Sequence, residues 1–387
     1  MAVSPMQPTG RARVLVAVTR VRLPLIAAAA LVHAIWDAST AVSAGDGVLF
    51  ARAGAKLFSG SWSHALSDPT IQVGPLHLAF SGTIGGIARA LHVSDKLALA
   101  VTVEVGSVVA LALLVRALWA GDSTRHRVAE MAVCGLWIVW LGGVATAIGQ
   151  SAESIVPLMW LGAALAARRG RWLTAGVVLG ASAAMTAWGL QGLPILLLDE
   201  DHRHSVVAAV SAVTVAVVAY APFLVWGSVA SFSYHWTVSS ASPVHYLLPA
   251  GSTFSWGARL LQGALVLGGG CAVAWFARRS PAAPWAVPLA IVIARVLVDP
   301  VYYWYYWVPA QTLALVGIVS LVLTARSVRN CAVAALLYGG LFLSTDPPPL
   351  LGLVALGACL MALVRTRNSD PDTSLIPKRV VVAGPTS

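Results

Sequence analysis

The acidic residue Asp46 follows the first long apolar segment of the chain, at the start of a long polar connection. A carboxylate in this position could accept a proton from a hydroxyl group, which is the role of a general base. Arg52 and Lys56 follow shortly after it, and a nearby cation would keep the carboxylate ionised. The same acid could instead cap the helix that follows. Both interpretations of Asp46 remain open.

Arg295 and Asp299 form a second candidate group, within the stretch RVLVDPVYYWYYW. An arginine inside an apolar span is costly to bury and is therefore a candidate functional residue. Arg295 could hold a phosphate group through paired hydrogen bonds, or it could pair with Asp299 on a continuous helix. Tyr302, Tyr303, Tyr305 and Tyr306 then supply ring faces and hydroxyl groups, or they belong to an aromatic belt at the membrane surface.

Further polar and aromatic side chains lie near the predicted ends of other apolar segments. Glu153 either stabilises the start of a helix through the helix dipole or binds substrate hydroxyl groups. A single histidine in such a position is more often structural or interfacial than catalytic. Together with Asp299, Tyr302 and Tyr303, the candidate substrate-binding residues are His77, Gln150, Glu153, Trp188 and His235.

No cofactor and no metal ion are predicted. The sequence contains neither a Walker motif nor a glycine-rich nucleotide fingerprint. The acidic run 199–201 has the composition of a metal cluster, but it lies on the opposite predicted side of the membrane from the other candidates. We interpret it as a solvated turn.

The composition predicts a membrane protein. The chain is 58% hydrophobic and only 10% charged, whereas soluble domains contain about 25% charged residues. Most of its 25 Lys and Arg residues flank apolar segments, which fits the positive-inside rule and contact with anionic lipids. No basic patch stands apart from these flanks, so we predict no nucleic-acid partner.

The predicted fold is all-α: a polytopic helical membrane protein of about 12 spans with both ends cytoplasmic. A basic N-terminal segment, 1–22, precedes a single transmembrane domain, 23–364, and a tail, 365–387. Some predicted spans are shorter than the roughly 20 residues that cross a bilayer untilted, and we expect these to pack inside the bundle or line a wet cavity. The predicted spans are 23–44, 97–115, 131–149, 154–167, 172–188, 192–198, 205–227, 257–277, 285–298, 304–325, 330–344 and 350–364.

Two outer loops are predicted to carry the candidate site. The first, 45–95, begins with an amphipathic helix in the membrane interface. It continues with a juxtamembrane helix over 74–91, because a span there would place the basic loop 116–127 outside. The second, 228–256, contains no charged residue.

These features together resemble a known family. The stretches that carry the resemblance, over about residues 20–320, are the acid at the start of the first outer loop, followed by ARAGAKLFSG, VGPLHLAF, GQSAES, AALAARRGRWLTAGVVLGASAAMTAWGLQGLPILLL and RVLVDPVYYWYYW. The chain is similar to the polyprenyl-phosphate-sugar-dependent glycosyltransferases of the GT-C fold, and most to actinobacterial α-mannosyltransferases.

The resemblance implies a multi-span bundle with juxtamembrane helices in the first outer loop. It also implies a polyprenyl-phosphate sugar donor and an acceptor that is a glycolipid or a cell-wall glycan. The family's catalytic aspartate corresponds to Asp46, and its outer motif after the third span to Gln150 and Glu153. Its later Arg–Asp–Tyr stretch corresponds to Arg295, Asp299 and the Tyr302–Tyr303 pair.

One departure from the family lies on the fifth span. Many relatives have a lysine near the outer end of this span, where this chain has Thr186 and Trp188. This helix therefore lacks the side chain that makes the phosphate contact in those relatives, and Arg295, helped by Arg52 and Lys56 or by a histidine, is the expected phosphate ligand.

The expected function is transfer of a sugar, with mannose the first choice, by an inverting glycosyltransferase in the cell membrane. Asp46 would act as general base at a site facing the extracytoplasmic side. The alternative is a secondary transporter or a lipid flippase, which would show buried acids near the bilayer midplane and two matching halves. A structural or assembly protein of the membrane is a third possibility.

Overall fold

A computed structural model of the protein describes residues 20–40, 45–119, 121–143, 148–324 and 328–342, together with residues 354 and 357. Almost all of the predicted N-terminal segment 1–22, nearly all of the predicted span 350–364 and the whole tail 365–387 therefore lie outside the described residues.

The described residues are mostly α-helical, as the sequence predicts. Short 3₁₀ segments continue two helices or connect others, and five residues, Ile138–Gly142, form a π-helical turn after α5. The α-helices are α1 (Arg22–Thr40), α2 (Gly45–Lys56), α3 (Pro75–Ala90), α4 (Asp95–Trp119), α5 (Thr124–Trp137), α6 (Ser151–Arg168), α7 (Trp172–Met185), α8 (His202–Trp226), α9 (Trp256–Ala277), α10 (Ala283–Leu297), α11 (Val308–Leu323) and α12 (Val328–Phe342).

Several helices are long and apolar enough to cross a membrane. Within the described residues there are five such segments: α1, α4, α8, α9 and the segment Trp304–Leu323, which contains α11. The chain is therefore a helical membrane protein, as its composition predicts. The number of spans, about twelve, stays a prediction.

The short helices α6 and α10 lie at the centre of the bundle. Nearly all side chains of both helices are buried, including Trp160, Leu161 and Trp285. In contrast, α8 leaves a row of valines exposed, among them Val210 and Val217. The central helices are covered by protein, whereas the outer ones present apolar faces that suit lipid. The expectation that the shorter helices pack inside the bundle is met for α6 and α10.

Glycines let two pairs of helices approach closely. A side chain at Gly176 or Gly180 of α7 would overlap the backbone of α8 at Ala208 or Ala212. The α2–α3 pair has an equivalent contact, where Gly54 meets the backbone of Gly82. Small residues at such crossings bring backbones together and stabilise helix pairs inside membranes.

One end of the bundle is held by an ion-pair network. The buried carboxylate of Glu130 contacts Arg22 at 2.9 Å and Arg116 at 2.6 Å, and Asp122 contacts Arg127 at 2.6 Å. These residues come from α1, α4, α5 and the turn before α5, so the network joins three helices at their basic ends. The polar candidates of the sequence lie at the opposite ends of these helices.

The segment 228–256 forms a folded loop between α8 and α9. Its two short strands, β1 (Trp236–Thr237) and β2 (Thr253–Phe254), pair antiparallel, with Trp236 opposite Phe254. Backbone hydrogen bonds attach the loop to the rest of the protein: the N–H of Ala230 donates to Leu66, and that of Ser239 donates to Pro300. The loop therefore has a fixed position over the ends of the helices.

The glycine contact between α2 and α3 gives a stability prediction with a control on the same helix. Gly82→Ala would force apart the backbones at Gly54, and we expect a loss of about 1–3 kcal/mol. Gly86 lies one turn later on α3 with open space around it, so Gly86→Ala should be neutral or should stabilise by up to about 1 kcal/mol, because alanine favours helix. Thermal unfolding in detergent measures both variants; equal effects of the two substitutions would contradict the close contact.

Candidate functional site

A cavity of about 690 Å³ lies at the end of the bundle remote from the ion-pair network. The start of α2, the start of α6, the end of α10 with its following turn, and the loop 228–256 all contribute to its walls. Seven residues chosen from the sequence line it: Asp46, Gln150, Glu153, Trp188, Arg295, Tyr302 and Tyr303.

Asp46 is positioned by a close backbone contact between two chain segments. Gly149 has a left-handed backbone (φ +85°), and a side chain there would overlap Gly47. This contact brings the first turn of α2 against the residue before α6, where the Gln150 amide donates to the Asp46 carboxylate at 2.5 Å. Asp46 lies in the first turn of its helix, where the helix dipole stabilises a negative charge.

Arg295 lies at the base of the cavity and is almost completely buried. Its Nη1 atom lies 3.6 Å from the Glu153 carboxylate, and its guanidinium group stacks 4.1 Å from the Trp188 ring and 4.9 Å from the Tyr306 ring. Neither Nη1 nor the facing Glu153 oxygen has a hydrogen-bond partner in the described part of the chain. An anionic group entering the cavity could therefore take up donors of Arg295.

Aromatic side chains form much of the remaining wall. Tyr303 stacks on Tyr305 with ring centroids 5.2 Å apart, and Tyr306 meets both rings edge to face. Burial raises the pKa of the Tyr303 hydroxyl group, and the nearby Tyr234 and Asp46 raise it further. This hydroxyl therefore keeps its proton at neutral pH and can donate a hydrogen bond.

Two cations expected to bind phosphate do not line the cavity. Helix α2 buries the face that carries Phe50, Ala53 and Gly54 against α3. Arg52 lies on the other face and is exposed, and Lys56 lies at the end of the helix remote from Asp46. Their predicted role as phosphate ligands has no geometric support, because the helix turns them away from Arg295.

Two histidines also lie outside the cavity wall. His77 is completely buried in α3, where its Nε2 lies 2.9 Å from the Ser151 hydroxyl group. Burial lowers the pKa of His77 to about 3, so this side chain is neutral and joins α3 to the start of α6. His235 is exposed beside Tyr234, on the loop. Both histidines were predicted to contact substrate, but neither lines the cavity.

Asp299 does not pair with Arg295. Helix α10 ends at Leu297, so the helical spacing of the two residues is not continued. Asp299 instead faces Arg259 of α9, at 3.3 Å. Its backbone carbonyl also accepts from the Ser242 hydroxyl group. Asp299 therefore fixes the loop 228–256 beside the cavity and is not itself in the lining.

Sequence reasoning missed several residues that the structure places at this site. Arg259 does not line the cavity itself, but its guanidinium group lies 4.2 Å from the ring of Trp236, which does. Only its position at the start of an apolar helix could have indicated a role, and that is a weak signal. Tyr305 and Tyr306, which follow Tyr302 and Tyr303 in the aromatic stretch, also line the cavity, as do Tyr234 and Trp236 of the aromatic outer loop. The polar lining residues that the sequence did not indicate are Thr70, Gln72, Thr237, Ser239 and Ser240.

The acidic run 199–201 forms a turn and a helix cap. The Asp201 carboxylate accepts from the backbone N–H of Arg203 at the start of α8, and Glu200 is exposed. Within the described ranges, no group of three or more His, Cys, Asp or Glu side chains could hold a metal ion.

Comparison with known proteins adds no relative. A scan against models of protein families finds none that matches this chain, and a search of curated protein sequences finds no similar protein.

The contact between Arg295 and Glu153 gives a second stability prediction. Arg295→Met would leave the Glu153 carboxylate buried without a cation, and we expect a loss of about 3–5 kcal/mol. The double variant Arg295→Met, Glu153→Gln should lose less than the sum of the two single variants, because no isolated charge remains. Unfolding temperatures of the four proteins in one detergent measure this coupling. Additive effects would mean that the two groups do not interact.

Proposed function

We propose that this protein is an inverting glycosyltransferase that moves a sugar from a polyprenyl-phosphate donor to a hydroxyl group of an acceptor. The observation that carries the proposal is the single cavity that contains both the Asp46 carboxylate and the buried guanidinium of Arg295. Such a transfer needs a carboxylate that accepts a proton and a cation that binds the leaving phosphate. The two groups must lie on opposite sides of the reacting carbon.

In the proposed reaction, Asp46 accepts the proton of the acceptor hydroxyl group. The acceptor oxygen then forms a bond to the anomeric carbon of the sugar, while the bond from this carbon to the phosphate oxygen breaks. The electron pair of the broken bond leaves with the polyprenyl phosphate. Attack from the face opposite the leaving group inverts the configuration. The Gln150 amide, hydrogen-bonded to Asp46 at 2.5 Å, holds the carboxylate in one orientation.

Arg295 stabilises the leaving phosphate in this scheme. Its guanidinium group lies between Trp188 and Tyr306 and opposite Glu153, so its side chain is already oriented before a donor binds. Preorganised charges of this kind stabilise the transition state without further rearrangement. Arg295 lies over Trp188, close to the position where the resembling family has a lysine on the fifth span. We therefore assign to Arg295 the phosphate contact that the missing lysine would make.

The donor is proposed to be a lipid-linked sugar. The sequence has no nucleotide-binding fingerprint, and the cavity lies at the end of a bundle of membrane helices. The tyrosines, Trp236 and the small hydroxyl side chains of the wall suit a carbohydrate, because rings pack on sugar faces and hydroxyl and amide groups bind sugar hydroxyls.

The finer parts of the proposal come from the sequence resemblance. The donor sugar would be mannose, and the acceptor a glycolipid or a cell-wall glycan. The cavity is proposed to face the extracytoplasmic side of the cell membrane. The cluster of Arg22, Arg116 and Arg127 at the remote end of the bundle supports this orientation, since basic residues favour the cytoplasmic side.

A transporter is the second candidate, and one observation favours it. Glu104 is completely buried in α4 and lies 2.7 Å from Nδ1 of His33 in α1. Both helices are candidate spans, and ionisable pairs inside spans often belong to ion or proton pathways. This pair lies outside the cavity lining and accounts for none of the seven candidates gathered there, so the transferase is the better supported proposal.

Replacement of the proposed base provides the decisive test. Purified protein in lipid would receive radiolabelled polyprenyl-phosphate mannose and an envelope lipid extract. Asp46→Asn removes the proton acceptor and keeps the size and the Gln150 contact, so we expect transfer to fall by about 100-fold or more. Glu200→Gln is the matched control, because this exposed carboxylate does not line the cavity, and its transfer rate should equal that of the unaltered protein.

Two outcomes would overturn the proposal. Full activity of Asp46→Asn would exclude Asp46 as the base. No transfer from mannose or any other polyprenyl-phosphate sugar, with labelled lipid or solute crossing the bilayer instead, would favour the transporter.

A further inference from the structure

The tip of the loop 228–256 exposes large apolar side chains. Tyr246 is 78% exposed and Leu247 is 84% exposed, and Leu248 is partly exposed beside them. No Lys, Arg, Asp or Glu occurs anywhere in the loop. A loop that met only water would not normally combine a bare apolar tip with the complete absence of charge.

The exposed side chains are not a sign of a poorly packed loop. Val238, Val244 and Phe254 form a small buried cluster under the tip. The backbone N–H of Gly251 donates to Val238 at 2.8 Å, and that of Leu248 donates to Val244 at 2.9 Å. The loop thus has its own core, and Tyr246 and Leu247 are held away from it.

The loop that carries the tip connects two helices whose exposed faces suit lipid. The end of α8 exposes Val225 and Trp226, and the start of α9 exposes Leu260 and Leu261. Both helices are candidate membrane spans, and the loop connects the end of one to the start of the other. Both ends of the loop are therefore attached to helices whose exposed faces are apolar.

The opposite side of the same loop faces the cavity. Ser239, Ser240, Ala250 and Gly251 line the cavity wall. Hydroxyl groups of the loop thus lie on the cavity side, together with the rings of Tyr234 and Trp236, whereas Tyr246 and Leu247 are exposed outside the cavity lining. This two-sided arrangement is typical of a segment at a lipid–water boundary.

We propose that residues 246–248 insert into the apolar part of the lipid leaflet at the cavity end of the bundle. The partner of this surface is lipid chains, not a protein. The inserted tip anchors the loop in the bilayer. The cavity wall that the loop forms is therefore fixed in position relative to the membrane. The cavity mouth then lies at the membrane surface, where a molecule with a lipid tail can reach it from the leaflet. The insertion itself does not depend on the proposed transferase activity.

The test is the collision accessibility of nitroxide labels in lipid nanodiscs. Cys134, Cys271, Cys331 and Cys359 are first replaced by alanine, with the unfolding temperature as a check that the fold is kept. Single cysteines are then labelled at three positions. Leu247→Cys is the test site, Leu265→Cys on the exposed face of α9 is the lipid reference, and Glu200→Cys in the exposed acidic turn is the water reference.

Oxygen concentrates in the bilayer, whereas a water-soluble nickel chelate is excluded from it. We expect the ratio of oxygen to nickel accessibility at position 247 to match that of position 265 and to exceed that of position 200 several-fold. A ratio equal to that of position 200 would place the tip in water and overturn the proposal. Low accessibility to both reagents would place the tip against protein, such as a second copy of the chain, and would overturn it as well.

Discussion

The buried contact between Arg295 and Glu153 joins the two short helices on which the centre of the bundle depends. Helices α6 and α10 are almost completely enclosed by apolar side chains, and an arginine in such surroundings is tolerated only where charges and ring faces compensate it. Glu153, Trp188 and Tyr306 provide this compensation. The same contacts hold the Arg295 side chain in one orientation in a cavity that a ligand could enter. Stability and proposed function thus share one group of side chains.

Glycines provide the second constraint, because they set the distances between backbones around this centre. The contact between Gly149 and Gly47 puts the first turn of α2 next to the start of α6. This contact places Asp46 beside Gln150, and Gln150 lies one helical turn before Glu153. The Gly54–Gly82 crossing in turn holds α2 on α3. A small displacement at either contact would move the carboxylate relative to the arginine, so the geometry of the cavity depends on residues that have no side chain.

The loop 228–256 forms one side of the site. It is held there by polar contacts between residues that are far apart in sequence. Asp299 contacts Arg259, its carbonyl accepts from Ser242, and Pro300 accepts from Ser239. The turn after α10 therefore contributes to the cavity wall in two ways. It carries the tyrosines of the wall, and it binds the loop 228–256, which forms another part of the wall. Asp299 was chosen from the sequence as a substrate ligand, and the structure gives it this connecting position instead.

The sequence by itself determined the class of the protein and the positions of its helices, because apolar runs of fixed length and flanking arginines have a direct physical meaning in a membrane. It also singled out Asp46, Glu153 and Arg295, since charges are rare in such runs and costly to bury. Only the tertiary structure decided their partners. Arg295 contacts Glu153 and not Asp299, since α10 ends before Asp299, and Arg52 and Lys56 are turned away from the cavity by the buried face of α2. Such pairings depend on where helices end and which faces they bury, and no local pattern of residues specifies either.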